Sequence, residues 1–111
     1  MSSMNDIQAV KALAALAQPS RLQVFRLLVV AGRNGATPTD IGERLGIAAS
    51  SLSFHLKELM HAGLVTQERS GRQLICRAEL EHMNDLLMFL TANCCEGEAC
   101  MDTVSVECKQ C

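Results

Sequence analysis

No cysteine precedes Cys76, and before it sulfur is carried by methionine alone. A disulfide framework spreads its bridges through a fold, so this distribution argues against one. Clustered thiols in a reducing compartment read instead as soft-metal or metalloid ligands, or as a redox device. Also missing is any window approaching the roughly 18 apolar residues of a membrane span. MSSMNDIQAV lacks a basic stretch followed by an apolar run, so it does not resemble a signal peptide. The expectation is a soluble, cytoplasmic protein with no membrane partner. Internal repeats and low-complexity runs are absent too. What is left, at 111 residues and 49% hydrophobic content, is room for one packed domain.

Charge is low in sum, −2, but unevenly placed. Residues 1–39 carry Lys11, Arg21, Arg26 and Arg33 against Asp6 alone, and residues 40–77 are nearly balanced. Residues 78–111 carry Glu79, Glu81, Asp85, Glu96, Glu98, Asp102 and Glu107 against Lys109. A weakly positive body can therefore meet phosphate although the whole chain, with a pI of about 5.9, is not basic.

Ile7, Val10, Leu13 and Ala17 recur at helical spacing and predict a first amphipathic helix over about 5–16. Pro19 suits a first turn and opens a second helix with Leu22, Phe25, Leu28 and Val29 on one face and Gly32 as the stop. TPTD reads as a third start, with Thr37 as N-cap, Pro38 at the first helical position and Asp40 where its charge meets the helix dipole. Gly46 breaks that helix. A fourth follows through AASSLSFHLKELMHAG, with Leu52, Leu56, Leu59 and Met60 inward. Two short helices joined by a tight glycine turn outline a helix-turn-helix. LVTQER and QLICRAE then flank Ser70–Arg72 as a β-hairpin turning at Gly71, in the position of a wing. A last helix is expected over about 79–93, with Leu80, Met83, Leu87 and Leu90 on one stripe and Leu86 and Phe89 alongside. The fold class is thus mainly α with a β-hairpin wing, over residues 1–93, followed by a cysteine-rich tail at 94–111.

The second helix of such a pair lies in the major groove with its N-terminal part toward bases and phosphates. Here that part carries Ser50, Ser51, Ser53 and His55. Hydroxyls can bond phosphate or base edges, and Lys57 adds a charge for the backbone. Arg69 and Arg72 flank the glycine turn of the hairpin, where they suit insertion beside or into a minor groove. Singly, these residues could equally be a solvated surface; in this order they point to double-stranded DNA.

PSRLQVFRLL, DIGERLGIAASSLSFHLKELMHAGLV and RSGRQ resemble the ArsR/SmtB family of metal- and metalloid-responsive repressors, over about residues 7–92. The resemblance implies a homodimeric winged helix whose first and last helices form the interface, with operator DNA bound in the ligand-free state. Ala48 and Ala49 depart from the polar cap and Gln of many relatives.

Family members place their sensor residues at unrelated positions, so the site is argued from this chain. DIGERLG has no cysteine and cannot match the sites that some arsenic sensors carry there. Glu79, His82 and Asp85 weakly imitate the zinc sites of other members but lack a second His-containing cluster, and read as a solvated face. The tail remains. Cys94, Cys95 and Cys100 lie close together, and Gly97 lets the chain fold back between them. Trivalent arsenic or antimony takes three thiolates in a pyramid, whereas structural zinc takes four ligands in a tetrahedron. LTANCCEGEAC also resembles the tail of an arsenic-responsive subgroup with a Cys-Cys pair and a third Cys. Glu96 and Glu98 would equally suit a divalent cation, so zinc, cadmium or lead stays open, as does persulfide chemistry on two tail thiols. Cys108 and Cys111 could complete a four-sulfur site, bind a second ion, or do nothing. Cys76, in a strand, reads as a small buried hydrophobe. No cysteine has the basic or helix-N-terminal setting that a thiol enzyme needs, so an enzyme is not expected.

Overall fold

The computed structural model describes residues 4–92, and each of its first three α-helices starts where a side chain takes over a backbone donor. Asn5 Oδ1 accepts from the Gln8 amide at 2.9 Å while Gln8 Oε1 accepts from the Asn5 amide at 3.1 Å, a reciprocal cap that opens α1 (Asp6–Leu16). Gln18 Oε1 accepts from the Arg21 amide at 2.8 Å and Pro19 occupies the first turn of α2 (Pro19–Ala31). Thr37 Oγ1 accepts from the Asp40 amide at 3.1 Å, opening α3 (Pro38–Leu45) as its sequence predicts. The chain leaves α3 through Gly46, whose φ of 67° and ψ of 37° are left-handed and favour glycine. It then enters α4 (Ala49–His61).

After α4 come β1 (Val65–Ser70), β2 (Gln73–Ala78) and α5 (Leu80–Leu90). The strands are antiparallel, in register from Val65 opposite Ala78 to Ser70 opposite Gln73. Gly71 and Arg72 are thus left as a two-residue turn, and Ser70, expected in the turn, ends β1. Only the root of the hairpin is buried, at Val65 and Cys76, so the tip projects into solvent as a wing. Two backbone bonds fasten the root: the Ala36 amide to the Cys76 carbonyl at 2.9 Å, and the reverse pair at 2.8 Å. Arg77 adds a second clamp, donating from Nε to the Arg33 carbonyl at 2.8 Å and from Nη1 to Glu68 at 2.6 Å.

One core serves all the elements: Val24, Phe25 and Leu28 of α2, Ile41 of α3, Leu52, Leu56 and Leu59 of α4, Leu64 after it, Cys76 and Leu86. The first helix departs from its spacing. Its buried face is alanine, Ala9, Ala12 and Ala15, while Ile7, Val10 and Leu13 are exposed at 78%, 64% and 43%. Small side chains let α1 lie close against its neighbours, which leaves its large ones outside. Leu22 is likewise exposed, its expected place toward the core taken by Val24. In α5 the fully buried residue is Leu86; Met83 and Phe89 pack partly against the core, and Met88 and Leu90 are exposed. Among the described residues no helix is long and apolar enough to cross a membrane.

Candidate nucleic-acid interface

α4 has two opposed faces. Leu52, Leu56 and Leu59 are at most 2% exposed and anchor it. Ser50, Ser53, Phe54 and Lys57 are exposed on the far side, within about 60° of Ser50 at roughly 100° per residue. Ser51 is exposed on one flank. His55, predicted to reach DNA with these serines, is half-buried, and its Nδ1 is enclosed without a hydrogen-bond partner. The Phe54 ring meets the His55 ring edge-on, centroids 5.9 Å apart at 62°. No side chain caps α4 at Ala48, so its first backbone amides keep their donors free of side-chain acceptors. That leaves them open to water or to a phosphate oxygen.

Arg69 and Arg72 are exposed in the wing, the latter in the turn itself. Since Arg77 is occupied by Glu68 and the Arg33 carbonyl, Arg69 and Arg72 are the hairpin cations without an ion pair among the described residues. A groove of about 620 Å³ is bounded by α3, α4 and the hairpin, with Pro38 and Glu43 on the α3 side. Leu52, Leu56 and Leu74 contribute to its apolar lining, and Ser53, Lys57 and Gln67 its polar lining. Ser53 and Lys57 thus share one groove with Gln67 and Leu74 of the hairpin and with α3. Sequence reasoning missed Phe54, although its helical spacing from Ser50 and Lys57 was there to be read.

Other candidates fall elsewhere. Among the described residues no group of three or more His, Cys, Asp or Glu side chains could hold a metal ion, so Glu79, His82 and Asp85 are not gathered into one site. Nor are they a fully solvated face: all three are half-buried, and His82 Nε2 is enclosed without a partner against Gly63. Cys76 is fully buried, and its Sγ accepts from Gln67 Nε2 at 3.4 Å. Burial pushes the thiol above its ordinary range, and the Gln67 bond only partly opposes this. It is the small core hydrophobe expected from its strand position. Cys94, Cys95, Cys100, Cys108 and Cys111 lie outside the described residues.

A family model described as a helix-turn-helix domain matches residues 16–68, the stretch from the end of α1 into β1. The HTH-type transcriptional regulator NmtR of Mycobacterium tuberculosis is 36% identical over 88 residues, covering 78% of this chain and 70% of its own. An ArsR-like transcriptional regulator from Rhodococcus sp. RHA1 superposes with a TM-score of 0.69 at 25% identity, over 76% of each chain. A solved structure described as a possible transcriptional regulator for arsenical resistance gives a TM-score of 0.63 at 28% identity, over 72% of this chain and 80% of its own. Likeness in both sequence and fold thus extends through the helix-turn-helix and across most of each relative, and this chain belongs to the ArsR/SmtB family of winged-helix transcriptional regulators.

Proposed function

We propose that this protein is a repressor that binds operator DNA as a homodimer and lets go when trivalent arsenic or antimony is held by Cys94, Cys95 and Cys100. The observation that carries the DNA half is the outward stripe of α4 together with a wing whose Arg69 and Arg72 have no ion pair among the described residues. α4 enters the major groove with Ser50 and Ser53 toward base edges, Lys57 meets phosphate, and the wing reaches the flanking groove. His55 acts from the edge of this surface. Dimerisation is supported by the exposed Ile7, Val10 and Leu13 of α1 and Met88 and Leu90 of α5, a large apolar content for two helices facing water. Pairing through these helices puts the two copies of α4 about 34 Å apart, one DNA turn.

The sensing half rests on the donor set. Three thiolates suit a soft trivalent centre, which binds sulfur in exchange for hydroxide and leaves the site uncharged beside Glu96 and Glu98. Cys94 comes four residues after Leu90, the end of α5, so holding it and Cys95 would bias the dimer through α5. Couplings of about 1–3 kcal/mol are usual for such devices, so release follows from a lower operator affinity and needs no unfolding. The off-DNA form must bind the ligand better. A second reading, release by zinc, cadmium or lead, is favoured by the acidic neighbours and by Cys108 and Cys111, which would complete a tetrahedral set.

A titration decides between them. A duplex selected from a random library serves as operator, and arsenite, zinc and cadmium are added while stoichiometry and DNA release are followed together. Release at one arsenic per protomer is expected. Release by the divalent ions alone would move the site to four sulfurs, and several ions per chain without release would make the tail a store.

A further inference from the structure

The outward face of α4 contains a side chain that the phosphate and hydroxyl contacts leave unused. Phe54 is 56% exposed, lies about 40° around the helix from Ser50 at 100° per residue, and is one turn from Lys57. It points away from Leu52, Leu56 and Leu59, so core packing does not account for it. Its ring neighbour is His55, met edge-on, and more than half of the residue remains open to solvent. In a helix that enters the major groove, this ring stands where base edges pass.

Those edges differ in what they offer a phenyl group. Guanine, cytosine and adenine present nitrogen and oxygen atoms, which a ring without donors or acceptors would strip of water and leave unpaired. Thymine alone presents a methyl group at C5, an apolar surface that gains by being covered. We propose that Phe54 is a specificity-determining residue that selects thymine in each operator half-site by contact with that methyl. The inference rests on the reading of α4 as the helix that enters the groove.

The test removes the methyl without touching the base pair. A duplex is selected from a random library with the full chain, and each thymine in turn is replaced by deoxyuridine. One position per half-site should lose affinity about fourfold, the effect of one buried methyl-sized group. In Phe54→Ala, thymine and uracil duplexes should bind alike at that position. Phe54→Leu, still apolar, should keep part of the difference. Because Phe54 is exposed, these variants should match the wild type in thermal stability, and the uracil series on the wild type needs no variant at all. Indifference of the wild type to uracil at every thymine, a selected half-site without thymine, or an undiminished uracil effect in Phe54→Ala would each overturn the proposal. Failure of the underlying reading looks different: selection would then enrich no duplex.

Discussion

At Gly35 one methyl group would meet three walls. A Cβ there would lie 2.4 Å from the Cys76 carbonyl oxygen and 2.7 Å from Ile75 Cγ2, and the φ of +65° already disfavours other residues. Gly35→Ala should therefore cost roughly 3 kcal/mol, the strained backbone and the displaced strand acting together. Urea denaturation would read it, and a loss below about 1 kcal/mol would mean that the hairpin root yields more easily than its two Ala36–Cys76 bonds suggest. Cys76 makes a pH-dependent counterpart. Its folded pKa is raised by burial above the ordinary 9.0, so the unfolded chain loses the proton first. The contribution of this thiol to stability is full below that value and is lost as pH rises from there through the raised folded value. Cys76→Ala should flatten the alkaline fall in stability, measured as urea midpoints of reduced protein from pH 8 upward; an unchanged slope would assign the fall to other groups.

At the scale of elements, the wing and α1 make separable predictions. Arg69→Ala and Arg72→Ala should each weaken DNA binding and reduce the slope of log affinity against log salt by about one unit if the contact is to phosphate. Unchanged affinity and slope in both would remove the wing from the interface. In α1, Val10→Glu sets a charge among Ile7 and Leu13 without entering the core, because Val10 is itself exposed. Sedimentation should show dissociation toward monomer while the helical circular dichroism stays native. A dimer of unchanged strength would place the interface on other elements. The helix starts at Pro19 and Thr37, the Gly46 break and the hairpin were all legible, since caps, turns and strand alternation depend on neighbours a few residues away. The facing of α1 was not. Its alanines and its large apolar residues both repeat at helical spacing, and only the close approach to its neighbours decides which set is inside.

For the whole molecule, the decisive variants are in the thiols. Cys94→Ser, Cys95→Ser or Cys100→Ser should each abolish the response to arsenite while operator affinity without arsenite stays at the wild-type value, because the residues proposed to read DNA are on α4 and the wing. Cys108→Ser with Cys111→Ser should change the response little. Electrophoretic mobility shifts with and without arsenite check both statements, and arsenic X-ray absorption should report three sulfur neighbours. Four sulfurs, or a response lost only in the Cys108 and Cys111 double variant, would shift the site toward the chain end and favour the tetrahedral reading.

Much of this protein was determined by sequence alone, and the reason is range. Capping, glycine turns and the order of helix, turn, helix and hairpin arise from interactions over a few residues, and the crowding of cysteine into one end is visible without any fold. Tertiary structure decided what depends on which surfaces meet. It buried Ala9, Ala12 and Ala15 and left Ile7, Val10 and Leu13 outside; it drew His55 half inward and enclosed His82 against Gly63. It also spent Arg77 on Glu68 and the Arg33 carbonyl, which left Arg69 and Arg72 without an ion pair among the described residues. Phe54 lies between the two: its place opposite Leu52, Leu56 and Leu59 follows from helical spacing, and tertiary packing then leaves it 56% exposed, where it can meet a base.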